Sequence, residues 1–188
     1  MIRQKIEPDE ETDDNEYVLA AQKRLSDFEP LYQRYVQRVY LYLRTRTDNG
    51  DDAADLTQQV FLHALNALPA YRIRGVPFSA WLFRIARHIV IDRYRRHSPM
   101  TSWDLLPEAL QQSEEQGPEM LFMKQETFLH LRNFLNSLDP YKRELLALRF
   151  AAELSSAEIA EVVGKSPAAV KKQLTRIMNN LKEHYHEK

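Results

Sequence analysis

Lys171, Lys172, Thr175 and Arg176 stand one, three and four residues apart, the spacing that gathers side chains on one face of an α-helix. Their chemistry is recognition rather than bond-making. Ammonium and guanidinium groups meet phosphates or guanine edges, and a threonine can touch a thymine methyl or a phosphate. The residues before them provide the sharp turn that such a helix needs. Ser155 and Glu158 have capping-box spacing, after which Ile159, Ala160, Val162 and Val163 can pack inward. Gly164 supplies a left-handed C-cap, Ser166 can cap the next helix, and Pro167 suits its first turn. Ala160 is small where two helices would cross, and Val170 and Leu174 anchor the second of them. This is the order of a helix-turn-helix; the plainer alternative is a solvated cationic face on an ordinary helical hairpin.

A second cationic cluster lies upstream. From Tyr71 to His97 the chain holds Arg72, Arg74, Arg84, Arg87, Arg93, Arg95 and Arg96 against Asp92 alone. Acidic stretches precede and separate the two clusters: Glu7 to Glu16 is rich in Asp and Glu, and Ser98 to Glu126 carries six acids against Lys124. The net charge of −1 therefore conceals an alternation of sign along the chain. Such a chain gains little from counterion release as a whole, and its acidic parts can compete with nucleic acid for the basic faces.

Other chemistries find little support. The chain has no cysteine, which removes disulfides, thiolate metal sites and cysteine nucleophiles. His63, His88, His97, His130, His184 and His186 do not fall into a metal-ligand pattern, and the Asp48, Asp51, Asp52 and Asp55 cluster lacks the order of a calcium loop. No glycine-rich phosphate cradle is present, so no cofactor and no enzymatic role are expected. No apolar run approaches the ~20 residues needed to cross a bilayer, which points to a cytoplasmic protein without membrane insertion.

The elements that must carry these clusters are helical. Only four glycines occur in 188 residues, and strand-like alternation is scarce. Residues 1–22 read as an acidic, mostly disordered tail, with a short helix near Tyr17 to Lys23 as the alternative. Ser26 and Glu29 have capping-box spacing before Phe28, Leu31, Tyr32, Tyr35, Val39 and Tyr42, which predicts an amphipathic helix. Asp51 or Asp52 can cap a second helix with Leu56, Val60, Ala64 and Leu68 on one face, closed by Pro69. Ser79 can start a third, in which Leu82, Ile85, Ala86 and Ile89 face inward. Pro99, Pro107, Gly117 and Pro118 mark residues 98–120 as an acidic linker. A second domain over 121–188 follows, with Asp139-Pro140 starting one of its helices. The predicted fold is all-α: two small helical domains joined by a flexible acidic linker, the second carrying the helix-turn-helix.

Three stretches, in this order and spacing, give the chain a resemblance to the extracytoplasmic-function (ECF) sigma factors of the sigma-70 family. They are Asp52-Ala-Ala-Asp55-Leu-Thr-Gln-Gln-Val-Phe61, the stretch from Phe78-Ser-Ala-Trp81 to Asp92-Arg-Tyr-Arg-Arg96, and Leu154-Ser-Ser-Ala-Glu-Ile-Ala-Glu-Val-Val-Gly164. The resemblance implies that residues 23–97 form sigma region 2 and residues 121–188 a winged-helix-like region 4. Asp55, Leu56, Gln58, Gln59 and Phe61 match the surface that docks on the β′ clamp of core RNA polymerase. Arg84, Arg87, His88, Arg93, Arg95 and Arg96 match the element that melts and reads the −10 promoter region as single strand, while Lys171, Lys172, Thr175 and Arg176 match readers of the −35 duplex.

His88 stands where many relatives have Asn, and Gln173 replaces a common Arg, so recognition is expected to be related but not identical. Phe78 and Trp81 read as core aromatics or as melting residues. The implied partners are core RNA polymerase, through its β′ clamp and β flap, promoter DNA and an anti-sigma factor. Competing readings are a self-sufficient helix-turn-helix regulator, which would dimerise and bind duplex without polymerase, and a sigma mimic that only sequesters an anti-sigma factor.

Overall fold

The computed structural model describes residues 14–73, 75–96 and 130–186, without the side chains of 94–96 and 185–186. The first module holds α1 (Asp14–Lys23), α2 (Glu29–Arg44), α3 (Gly50–Ala67) and α4 (Phe78–Arg96), with 3-10 turns at Leu25–Phe28 and Leu68–Ala70. The second holds α5 (130–137), α6 (Pro140–Leu146) running into a π-helical turn at Ala147–Ala151, α7 (Ser156–Val163) and α8 (Pro167–His186). No strand occurs among the described residues.

Apolar spacing explains which faces meet. Leu31, Tyr35, Val39 and Tyr42 make one stripe of α2, and Leu56, Val60 and Ala64 one stripe of α3; all are buried. On α4 the buried residues are Phe78, Ser79, Ala80, Leu82, Phe83, Ala86 and Val90, whereas Ile85 and Ile89 only flank the core. The inward face is thus turned by about one residue from the expected one, because Phe83 fills the space against Tyr42, ring to ring at 5.5 Å. Phe78 is core rather than surface. It meets Phe28, Tyr35, Tyr71 and Trp81 at centroid distances of 6.5, 5.5, 5.9 and 5.4 Å, and such pairs add roughly 0.5–1.5 kcal/mol each beyond burial.

Helix starts differ from expectation in the first module. Ser26 does not cap α2: it lies in the 3-10 turn, its hydroxyl donates to Asp27, and the helix enters at Glu29-Pro30, where proline needs no N–H partner. The cap of α3 is Asn49, whose side chain accepts from the Asp52 N–H at 2.7 Å, rather than Asp51 or Asp52. Ser79 is inside α4, and its hydroxyl donates to Glu158.

The expected tail is also shorter than 22 residues. Residues 14–22 belong to α1, which buries Val18 and Ala21. It is tied down by Asp14 to Arg34 at 2.7 Å and to the Tyr35 hydroxyl, and by Gln22 donating to the Leu68 and Tyr71 carbonyls at 2.9 Å. Residues 1–13 and the expected linker 98–120 lie outside the described residues.

In the second module the local signals hold. Asp139 caps α6 by accepting from the Lys142 N–H at 2.9 Å, with Pro140 opening the helix. Ser155 and Glu158 make both bonds of a capping box, Gly164 closes α7 in the left-handed conformation at φ 67°, and Ser166 accepts from the Ala169 N–H. Leu145, Leu148, Leu154, Ile159, Val170 and Ile177 form the core beneath.

The two modules are not held apart. Helix α7 packs along α4, the π-helical turn packs on α2, and the buried side chains form one continuous core across both.

Candidate nucleic-acid and polymerase interfaces

Helix α8 presents Lys171, Lys172, Thr175 and Arg176 to solvent, while Val170, Leu174 and Ile177 anchor it. The Thr175 hydroxyl donates to the Lys171 carbonyl at 3.0 Å, which spends its proton inside the helix and leaves its methyl and lone pairs facing out. Lys142 adjoins this face in a shallow groove with Gln173, Arg176 and Asn180. Sequence reading missed Lys142, because nothing in linear order connects α6 to α8.

On α3, Asp55, Gln58 and Gln59 are exposed, Leu56 is buried on the inward face expected for it, and Phe61 is buried as well. Leu56 is 3% and Phe61 4% accessible, and Phe61 stacks edge-on to Phe28 and Tyr32. Both therefore lie beneath the exposed polar face rather than on it. Beside Gln58, the apolar Leu25 and Leu62 are 60% and 59% exposed, and Tyr32 is 40% exposed. These residues break the apolar periodicity, a signal available in the sequence but indistinguishable there from ordinary surface leucines.

Helix α4 carries the remaining cationic candidates. His88 is exposed. Arg93 pairs with Asp52 of α3 at 2.6 Å, so part of its charge already serves to join two helices. Arg95 and Arg96 lie on α4, but their side chains fall outside the described ones.

Arg84 and Arg87 face the second module. The Arg84 guanidinium donates to the Glu161 carbonyl at 2.7 Å and its carboxylate at 2.9 Å, and Arg87 stands 3.8 Å from Glu144. Glu144 is the centre of this contact. It accepts from Arg46 at 2.5 Å and from the Tyr42 hydroxyl at 2.9 Å. Burial pushes its carboxyl up, but the Arg46 charge, the hydrogen bonds from Arg46 and Tyr42, and Arg87 outweigh that and hold it below its ordinary value. Burial pushes the Tyr42 phenol well up, with Glu144 reinforcing and Arg46 opposing, so it remains a neutral donor. Burial likewise raises Glu158, and bonds from Ser155 and Ser79 with the Arg38 charge carry it to a net lowering.

Comparison with known proteins agrees with both modules. The Sigma-70 region 2 model matches residues 31–99, and the Sigma-70 region 4 model matches residues 129–181. The chain is 32% identical over 166 residues to ECF RNA polymerase sigma factor SigD of Mycobacterium tuberculosis, covering 87% of this chain and 76% of that one. It is 34% identical over 163 residues to RNA polymerase sigma factor YlaC of Bacillus subtilis, covering 86% and 94%. The match to ECF RNA polymerase sigma factor BldN of Streptomyces coelicolor is 33% identical and spans 82% of this chain but 58% of BldN.

Among solved structures, RpoE of Bartonella quintana in complex with the anti-sigma factor NepR shares the fold at TM-score 0.62 and 19% identity, over 85% of this chain and 97% of that one. CnrH in complex with the cytosolic domain of CnrY does so at TM-score 0.61 and 23% identity, over 93% and 97%. A helical module matching Sigma-70 region 2, joined to a helix-turn-helix matching region 4 with a cationic outer face, marks a promoter-recognition protein. The chain belongs to the ECF sigma factors of the sigma-70 family, which direct promoter-specific transcription initiation by RNA polymerase.

Proposed function

We propose that the first module docks on the β′ clamp of core polymerase through Asp55, Gln58 and Gln59 with Leu25, Tyr32 and Leu62 around them. Leu56 and Phe61 hold that face in place from beneath. Arg84, Arg87, His88, Arg93, Arg95 and Arg96 engage the −10 region as single strand. Arginines track phosphates and an exposed imidazole stacks on or hydrogen-bonds a flipped base. Unpairing costs a few kcal/mol per flipped base, which binding to strand and polymerase offsets without ATP.

Lys171, Lys172, Thr175 and Arg176 read the −35 element in the major groove, with Lys142 adding a phosphate contact. The β flap engages the second module, and an acidic segment over 98–120 threads toward the polymerase cleft. The protein acts in the cytoplasm as a non-catalytic subunit. The described helices include none long and apolar enough to cross a membrane. An anti-sigma partner agrees with the neighbour RpoE, which was solved with the anti-sigma factor NepR.

The observation that carries the reading is the solvent-facing Lys171–Arg176 set on a correctly capped helix-turn-helix, in one chain with an exposed Asp55–Gln59 face. The test is transcription from genomic DNA by core polymerase supplied with this chain, with start sites mapped. Defined starts preceded by two spaced elements, lost in Asp55→Ala/Gln58→Ala and in Lys171→Ala/Arg176→Ala, are expected. A chain that binds duplex as a dimer and starts no transcripts would instead be a stand-alone regulator.

A further inference from the structure

The candidate −10 residues of α4 fall on more than one face of the helix. Arg84, Arg87 and His88 are three and four residues apart and share one side. Arg93 instead continues the line of Leu82, Ala86 and Val90, which are buried against the core. It comes one turn after the last of them, beside the amino-terminal turn of α3. There its guanidinium donates to the Asp52 carboxylate at 2.6 Å. Asp52 is itself held in place. The Asn49 side chain caps α3 by accepting from the Asp52 N–H at 2.7 Å, which fixes the backbone of this turn. Three residues further on, Asp55 opens the exposed face assigned to polymerase, so the pair ties that helix to the one assigned to single strand.

We propose that Asp52 is a positioning residue for −10 recognition: it holds the Arg93 guanidinium in one orientation, ready to receive a phosphate of the single strand. The Asp52 bond takes one of a guanidinium's five N–H donors, and the two side chains are 38% and 34% accessible, so the rest of the fork is open to a phosphate. The carboxylate does not touch DNA. An ion pair this exposed adds little to stability. Its effect lies in fixing a long, rotamer-rich side chain before the strand arrives, which lowers the ordering cost of binding. Simple charge repulsion predicts the opposite sign: an acid beside a phosphate site disfavours the strand, and its removal should tighten binding.

The inference rests on the assignment of Arg93 to the −10 strand. Holoenzyme is assembled from core polymerase and the full chain and isolated before titration, so that docking is not the variable. Anisotropy of a short fluorescent single strand, bearing the −10 sequence of a mapped start site, reads binding at several salt concentrations. Asp52→Asn is compared with Asp51→Asn, which removes the same charge at an exposed neighbour. Asp52→Glu, Arg93→Ala and Asp52→Asn/Arg93→Ala complete the set. Arg93→Ala is expected to weaken binding about fivefold and to lower the salt slope by about 0.7, the share of one single-strand phosphate. Asp52→Asn should lose a similar amount despite its missing negative charge, and Asp52→Glu should recover most of it. Asp51→Asn should bind at least as tightly as wild type, and the double variant no more weakly than Arg93→Ala. Unchanged or tighter binding by Asp52→Asn overturns the positioning role, as does a lower melting midpoint with an unchanged salt slope, which marks a purely structural pair. Full binding by Arg93→Ala also overturns it. The −10 reading then stands if Arg87→Ala/His88→Ala still weakens the strand, and falls with the inference if that variant binds normally too.

Discussion

On the proposed reading, single side chains on α8 set the preference for the −35 element. Arg176 and Lys171 both face solvent, but a guanidinium can grip a guanine edge with two bonds, whereas an ammonium serves as a point charge for phosphate. Arg176→Ala is expected to cost about 1–3 kcal/mol of duplex affinity and to relax preference at one base position. Lys171→Ala should weaken all sequences alike and reduce the salt slope of binding by about one. Titrating polymerase-bound chain with promoter duplexes at several salt concentrations separates these outcomes. His88 is exposed and ring-shaped where an amide would have a fixed donor and acceptor. Changing the base opposite it should therefore alter initiation differently for the wild-type chain and for His88→Asn.

Elements explain why the second module was easier to read than the first. The helix-turn-helix is built from local rules, and Ser155, Glu158, Gly164, Ser166 and Pro167 each occupy the position that their chemistry demands. In the first module the same rules misplaced Ser26 and Asp51/Asp52, because a 3-10 turn and a better-placed Asn49 took over the helix starts. Periodicity marked Leu82 and Ala86 as core but not Phe83, whose burial depends on Tyr42 from another helix. Leu56 was legible as part of the inward face with Val60 and Ala64, whereas Phe61 was not, since its burial depends on Phe28 and Tyr32 from elements distant in sequence.

Ser155→Ala is expected to destabilise the fold by about 1 kcal/mol through loss of one capping bond. Gly164→Ala should cost a similar ~1 kcal/mol because φ is positive there, although a Cβ would meet no atom within 4 Å. Phe83→Ala, at full burial, should cost roughly 3–5 kcal/mol. Thermal melting of each full-length variant ranks them.

The whole molecule adds what neither module shows alone, a charged seam whose strength depends on proton and salt concentration. Glu144 and Glu158 are both held below their ordinary 4.5 in the folded chain. Their contribution is therefore fully present above that value and is lost as pH falls through the depressed values. Scattering and melting should be flat from neutral pH down to about 5 and decline below it, with Glu144→Gln flattening part of the decline.

Helix α1 ties residues 14–23 into the first module. Val18 and Ala21 complete the core against α2, and Gln22 fastens the corner at Leu68 and Tyr71. A translation product that began at Arg24 would retain every residue assigned to polymerase and promoter, yet lose the Asp14 bonds to Arg34 and Tyr35 and the Gln22 bonds to Leu68 and Tyr71. Its loss would be one of abundance, through faster degradation of a loosened fold, while the start sites chosen by the surviving molecules stayed the same.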